Sequence, residues 1–240
     1  MAGMSGLVAG AAAMALMGAA AGGKSAADPG RATIEQIVHD YILDHPEIIP
    51  EAMERLQAKQ TAEAINANRK AIETPFAGAW AGAADGDVTL VEFFDYACPY
   101  CHVSVADIDL LLAEDKKLKV VFRELPILGD GSDAAAKVSL SAAKQGKFLD
   151  FHHKMYAADR PTTETIAKAR AASGLDPRQV ASDESSSAVQ DEIKQNLALA
   201  RALGLTGTPT FVIGDQMLSG AVGYDALKKA IAEARAKAKS

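Results

Sequence analysis

The chain has 240 residues, 49% of them hydrophobic and 23% charged. That is the profile of an ordinary globular protein, long enough for one large domain plus an accessory segment. A formal net charge of −6 gives no reason to expect nucleic acid as a partner, and abundant alanine with 5% aromatic residues favours helix.

Residues 1–27 are rich in Ala, Gly and Met, with Leu7, Val8 and Leu16. This stretch has the length and small-residue ending of a secretory signal peptide, cleaved around Ala19 to Ala27. One departure is that no Lys or Arg precedes the apolar run; the first is Lys24. The run is too short and too rich in Gly and Ala for a membrane span. The expectation is export to an oxidising compartment, where two cysteines can cycle as a disulfide.

Asp28-Pro29-Gly30 reads as a flexible start, and Thr33 with Gln36 as a capping box. Apolar residues at Ile34, Ile37, Val38, Tyr41 and Ile42 mark a helical stripe, broken at Asp44-His45-Pro46. A second helix runs to about Glu73, with Pro46 or Pro50 as its first residue and Ile49, Met53 and Leu56 on its apolar face. An amphipathic helix pair must bury its stripe somewhere, either on its own domain or against copies of itself. Residues 28–73 are therefore read as a helical stalk. A Gly/Ala loop follows to Gly86, with Trp80 as packing.

Next comes the run Val88, Leu90, Val91, Phe93, Phe94, a buried strand. It leads directly into Cys98-Pro99-Tyr100-Cys101-His102 and a helical pattern to Leu112. These are the only two cysteines in the chain. Their C-x-x-C spacing in the first turn of a helix lets the two sulfurs reach each other. Unpaired N–H groups and a partial positive charge at a helix start stabilise a thiolate there and raise its reactivity. Pro99 fits the first turn, where its missing N–H costs nothing. Cys98 is then the exposed nucleophile and Cys101 the shielded resolving thiol, in an exchangeable disulfide. Other readings stay open. C-x-x-C is half a zinc site, but no second pair exists. With His102 it is also the attachment signature of c-type haem. An inert disulfide across so short a loop removes little entropy from the unfolded chain.

A strand over Leu118–Glu124 completes a β-α-β order. The loop Gly129-Asp130-Gly131 opens a helical stretch: Ser132 to Gln145, Phe148 to Ala157, Thr163 to Ala172, a short helix from Asp176-Pro177, and Ser187 to Leu203. Thr208-Pro209-Thr210-Phe211-Val212-Ile213 is a strand opening on proline, which the first position of a strand allows. After Gly214-Asp215 come a short strand at Met217-Leu218 and a last helix from Tyr224 to about Lys237. His152 and His153 are adjacent, point to different faces of a helix, and make a poor metal pair.

Strand, C-x-x-C, helix and the later Gly207-Thr208-Pro209-Thr210-Phe211 together resemble the thioredoxin fold, whose cis-proline loop packs against the active-site disulfide. The surplus of helix between Cys98 and Pro209, and Glu92-Phe93-Phe94-Asp95-Tyr96 before the cysteines, resemble the DsbA-like group. The segment Ile37 to Lys59 with His45-Pro46-Glu47 resembles its stalked, trimeric ScsC-type subgroup. The resemblance implies an α/β thioredoxin fold over residues 74–240, with a helical domain inserted at about 127–185. It implies a periplasmic thiol:disulfide interchange protein acting on protein substrates, with a membrane redox partner and possible trimerisation through residues 34–73. It needs no cofactor beyond the Cys98–Cys101 disulfide. Glu92, six residues before Cys98, takes the place of a buried acid that relays a proton from the resolving thiol. Pro99, Tyr100, Thr208 and Pro209 take substrate-contacting places, with the Thr208 backbone aimed at an extended chain. Pro99 is the residue of monomeric oxidases; Thr208 and the stalk are those of isomerases, and the reading leans to isomerase. From another class, the rivals are covalent haem at Cys98, Cys101 and His102, or Cu(I) on the two thiolates.

Overall fold

The computed structural model describes residues 29–238; the expected signal peptide lies outside them. Contacts divide the chain into two compact units with the boundary between Ala52 and Met53, inside a helix.

The first unit holds α1 (Pro29–Asp44) and the start of α2 (Ile48–Glu73). α1 begins five residues earlier than the Ile34 stripe suggests. Thr33 therefore lies inside the helix and does not cap it, and Pro29-Gly30 are helical. The helix stops at Asp44 because His45 precedes Pro46, and the residue before a proline is pushed out of the α region. Neither proline opens α2: Pro50 is its third residue, still in the turn where its missing N–H is harmless.

The second unit is built on a mixed five-stranded sheet, ordered β1-β3-β2-β4-β5. Its strands are β1 (Trp80–Gly82), β2 (Val88–Phe94), β3 (Leu118–Glu124), β4 (Thr210–Ile213) and β5 (Gln216–Ser219). β2 and β3 are parallel and joined through α3 (Pro99–Glu114); the other pairs are antiparallel. β1 was hidden in the Gly/Ala loop, since three residues carry no period; Trp80 sits on it opposite Val121. At the β4–β5 hairpin Gly214 takes φ +59°, a value only glycine adopts without strain.

β2 and β3 are apolar on both faces because both faces are covered. Leu90, Phe94, Val120 and Phe122 pack under α3, the last helix α9 (Tyr224–Lys237) and the helices that follow β3. Val91, Phe93, Val121 and Val212 pack on the opposite face against Ile65 and Ile72 of α2 and Leu199 and Leu203 from the end of α8 (Ser187–Ala202). The stalk expected over 28–73 is thus divided. Ile65 and Ile72, both 0% exposed, belong to the core of the second unit, because the α2 stripe beyond Met53 has a sheet to bury against.

Between β3 and α8 lie α4 (Asp130–Lys144), α5 (Phe148–Tyr156), α6 (Thr163–Ala172) and α7 (Pro177–Glu184). α4 starts two residues before the expected Ser132, with Asp130 and Asp133 in its first turn, where negative charge favours a helix. On the far face of the sheet, Arg123 is buried against the end of α2. It donates to the carbonyls of Ala71, Ile72 and Thr74, to Glu192 at 2.8 Å and to Asn196 at 3.1 Å, so it caps the carbonyls that a helix end leaves unpaired.

Candidate active site

β2 ends in a turn that delivers Cys98 as the N-cap of α3, with Pro99 at the first helical position and no side-chain cap bond. β4 runs antiparallel to β2 with Thr210 opposite Phe93. The start of β4 therefore lies beside the end of β2, and that pairing brings Thr208-Pro209 to the cysteines. The Thr208-Pro209 bond is cis, and the Cys98 thiol donates to the Thr208 carbonyl at 3.2 Å. That carbonyl, expected to face substrate, is here engaged by the nucleophile's own thiol. Both cysteines are free thiols. Cys98 is not the exposed residue expected: it is 4% exposed and lies at the wall of a cleft of about 850 Å³ shared with Tyr96, Pro99, His102, Leu128 and Tyr156. Cys101 is fully buried. Tyr100 is 64% exposed beside them.

Glu92 points from β2 to the same face as Leu90 and Phe94, the face that α3 covers. It is 2% exposed, and burial pushes its carboxyl from 4.5 to about 8, since a desolvated carboxylate is costly. Burial, and then the Glu92 charge, drive the Cys101 thiol far above the ordinary range. Cys101 therefore keeps its proton until something takes it.

A layer of residues around these was given no role in the site by the sequence. Asp95, 1% exposed, accepts from the N–H groups of Ala97 at 2.8 Å, Ile127 at 2.8 Å and Leu128 at 3.0 Å. Its backbone carbonyl accepts from Cys98 N–H at 3.0 Å and from the Tyr156 hydroxyl at 3.1 Å. Tyr96 bonds Ser139 at 2.9 Å and His152 at 3.2 Å. Burial lowers His152 to about 3, so it is neutral. Glu124, one strand over, is raised well above 4.5, first by burial. The sequence names Asp95, Tyr96 and His152 but not their bonds, because α4 and α5 meet the active-site turn only once the chain is folded. His153 points elsewhere, to Asp109 at 3.0 Å. The exposed His102 ring stacks on Tyr156 with centroids 5.9 Å apart. Among the described residues, no three His, Cys, Asp or Glu side chains form a group that could hold a metal ion.

A β-α-β unit whose helix starts at a C-x-x-C pair, faced by a cis-proline loop and interrupted by helices after β3, defines a thioredoxin-fold dithiol protein. Residues 89–232 match the DSBA-like thioredoxin domain, and the chain belongs to that family of thiol–disulfide oxidoreductases. Residues 31–63 match the copper resistance protein ScsC N-terminal domain, so the layout is that of the ScsC-like subgroup. The chain is similar to a linker-deleted mutant of Proteus mirabilis ScsC, at 27% identity and a TM-score of 0.68, covering 90% of this chain and 100% of that one. It is also similar to a thioredoxin-like oxidoreductase from Silicibacter pomeroyi DSS-3, at 39% identity and a TM-score of 0.65, covering 68% of this chain and 95% of that one. Among curated proteins, it is 37% identical over 150 residues to a Na(+)/H(+) antiporter NhaA of Herminiimonas arsenicoxydans. That match covers 60% of this chain and spans 23% of the antiporter. None of the described helices here is long and apolar enough to cross a membrane.

Proposed function

We propose that the chain is an exported, periplasmic protein that exchanges disulfides in protein substrates through Cys98 and Cys101, leaning to isomerase. The observation that supports it most is the pairing of a helix-start thiol with a fully buried second thiol under Glu92. The Cys98 thiolate attacks a substrate disulfide; one S–S bond forms, one breaks, and the released substrate sulfur takes a proton. Cys101 then attacks the Cys98 sulfur and gives its proton to Glu92 in its ionised form, which burial makes the minor form at pH 7. In isomerisation another substrate thiolate attacks the mixed disulfide in place of Cys101, forms the new substrate S–S bond and releases Cys98 as thiolate. The Cys101 branch reduces the substrate and leaves a Cys98–Cys101 disulfide and the second substrate thiol. The reverse sequence, with a membrane redox partner, oxidises substrates. Pro99, Tyr100, Thr208 and Pro209 border the path of the substrate chain. The disulfide is the redox group, and the reading uses no other cofactor. Covalent haem fits poorly, because Cys101 has no exposed surface.

The isomerase reading rests on self-association, which holds several sites around one substrate. α1 exposes Ile34, Ile37, Val38 and Tyr41, each more than half exposed. Early α2 exposes Met53 and Leu56. Apolar stripes of this kind mark association surfaces. Light scattering tests it with the full chain against a chain starting at Met53, which keeps Ile65 and Ile72 in the core. A trimer in the first and a monomer in the second are expected; two monomers refute the association. Refolding of a scrambled multi-disulfide protein beside oxidation of a reduced one tests direction. Faster oxidation with no unscrambling turns the reading to a dithiol oxidase.

A further inference from the structure

Asp95 holds more of this site together than any residue the mechanism uses. It stands three residues before Cys98 and is 1% exposed. Its carbonyl takes the Cys98 N–H. Its side chain does something different. One carboxylate oxygen holds the N–H of Ala97, beside the nucleophile; the other holds the N–H groups of Ile127 and Leu128. Bonds from backbone N–H to a carboxylate are short and strong, and they fix main chain. Here they join two segments remote in sequence: the turn that carries Cys98 and the stretch that follows β3.

That stretch presents apolar side chains to solvent. Ile127 is 46% and Leu128 51% exposed, and Leu128 lines the same cleft as Cys98. This cleft opens from Cys98 on the side of Leu128, so the part of a sulfur-bonded polypeptide that leaves its cysteine in that direction passes over Leu128. An exposed leucine held in place by its own backbone is suited to meet an apolar side chain there. Its usefulness depends on a constant distance from Cys98, and the Asp95 carboxylate supplies that constraint.

We propose that Asp95 is a positioning residue that locks the Ile127–Leu128 segment in register with Cys98, so that Leu128 receives an apolar residue adjacent to the cysteine of a polypeptide substrate. This rests on the disulfide-exchange reading.

The test uses the full reduced chain with three oxidants: hydroxyethyl disulfide, a decapeptide disulfide with leucine beside its cysteine, and the same peptide with serine there. Asp95→Asn keeps the shape but presents an NH2 group where an N–H needs an acceptor. Leu128→Ser removes the apolar contact at an exposed position. Each single variant should raise KM for the leucine peptide about tenfold, roughly the loss of one apolar side-chain contact, and lose the preference for leucine over serine. Because both act through one contact, the double variant should be no worse than either single. Independent losses that multiply to about a hundredfold overturn the proposal. So does an Asp95→Asn variant that is slowed equally on all three oxidants. Should Asp95→Asn fail to fold, Leu128→Ser alone decides: an unchanged leucine preference overturns the proposal. Wild type that fails to react with hydroxyethyl disulfide refutes disulfide exchange itself, and the proposal with it.

Discussion

Glu92→Gln offers the most direct test of the site's electrostatics. The carboxyl is 2% exposed and raised by burial from 4.5 to about 8. Between those pH values the folded chain retains a proton that the unfolded chain has released, so stability falls as pH rises. The slope is about 1.4 kcal/mol per pH unit for a single group. The stability is full below the unfolded value, has dropped by roughly 3 kcal/mol at pH 7, and levels off above the folded value. Glutamine has no proton to lose. Urea unfolding of both proteins from about pH 5 to about pH 8 should give curves that diverge with rising pH, the variant being the more stable. Glu124 and His152 titrate in both proteins, so their slopes largely cancel on subtraction. The stability gained should come with slower resolution of mixed disulfides, since Cys101 then has no carboxylate to receive its proton. Parallel curves would refute the reasoning: Glu92 would then not be a desolvated acid in the native state.

Other outcomes follow from the same geometry. Arg123→Met leaves Glu192 and the Ala71, Ile72 and Thr74 carbonyls without their partner, and should lower unfolding free energy by about 3–5 kcal/mol in urea; a loss under about 1 kcal/mol would show that the buried pair is dispensable. Iodoacetamide should label Cys98 well before the fully buried Cys101, and Cys101→Ser should accumulate a mixed disulfide on non-reducing gels; equal labelling of both thiols would refute the division into nucleophile and resolving thiol. His152, held neutral by burial down to about pH 3 against an ordinary 6.5, binds fewer protons folded than unfolded, so stability is lost as pH falls through that window. His152→Gln should flatten this acid limb in urea titrations, and an unchanged limb would place the effect in another group.

The sequence alone determined the class of fold, the two sulfurs and the proline that faces them. The motifs are local signals, a strand run, a helix start and a strand opening on proline, each set by a few consecutive residues; the fold class and the facing of proline and sulfurs came from their resemblance to the thioredoxin fold. Glu92 came into view only through the resemblance to the DsbA-like group, which has a buried acid six residues before its first cysteine; its burial is a tertiary fact. Only the tertiary structure decided the rest. The split of α2 between two units depends on which surface Ile65 and Ile72 meet, and periodicity shows that a helix has an apolar face but not what covers it. The cover over Cys98, the clamp made by Arg123, and the Asp95 carboxylate joining Ala97 to Ile127 and Leu128 all pair residues far apart in the chain. Such contacts arise when the sheet brings β2, β3 and the later helices together, and they leave no period or spacing behind in the order of the residues.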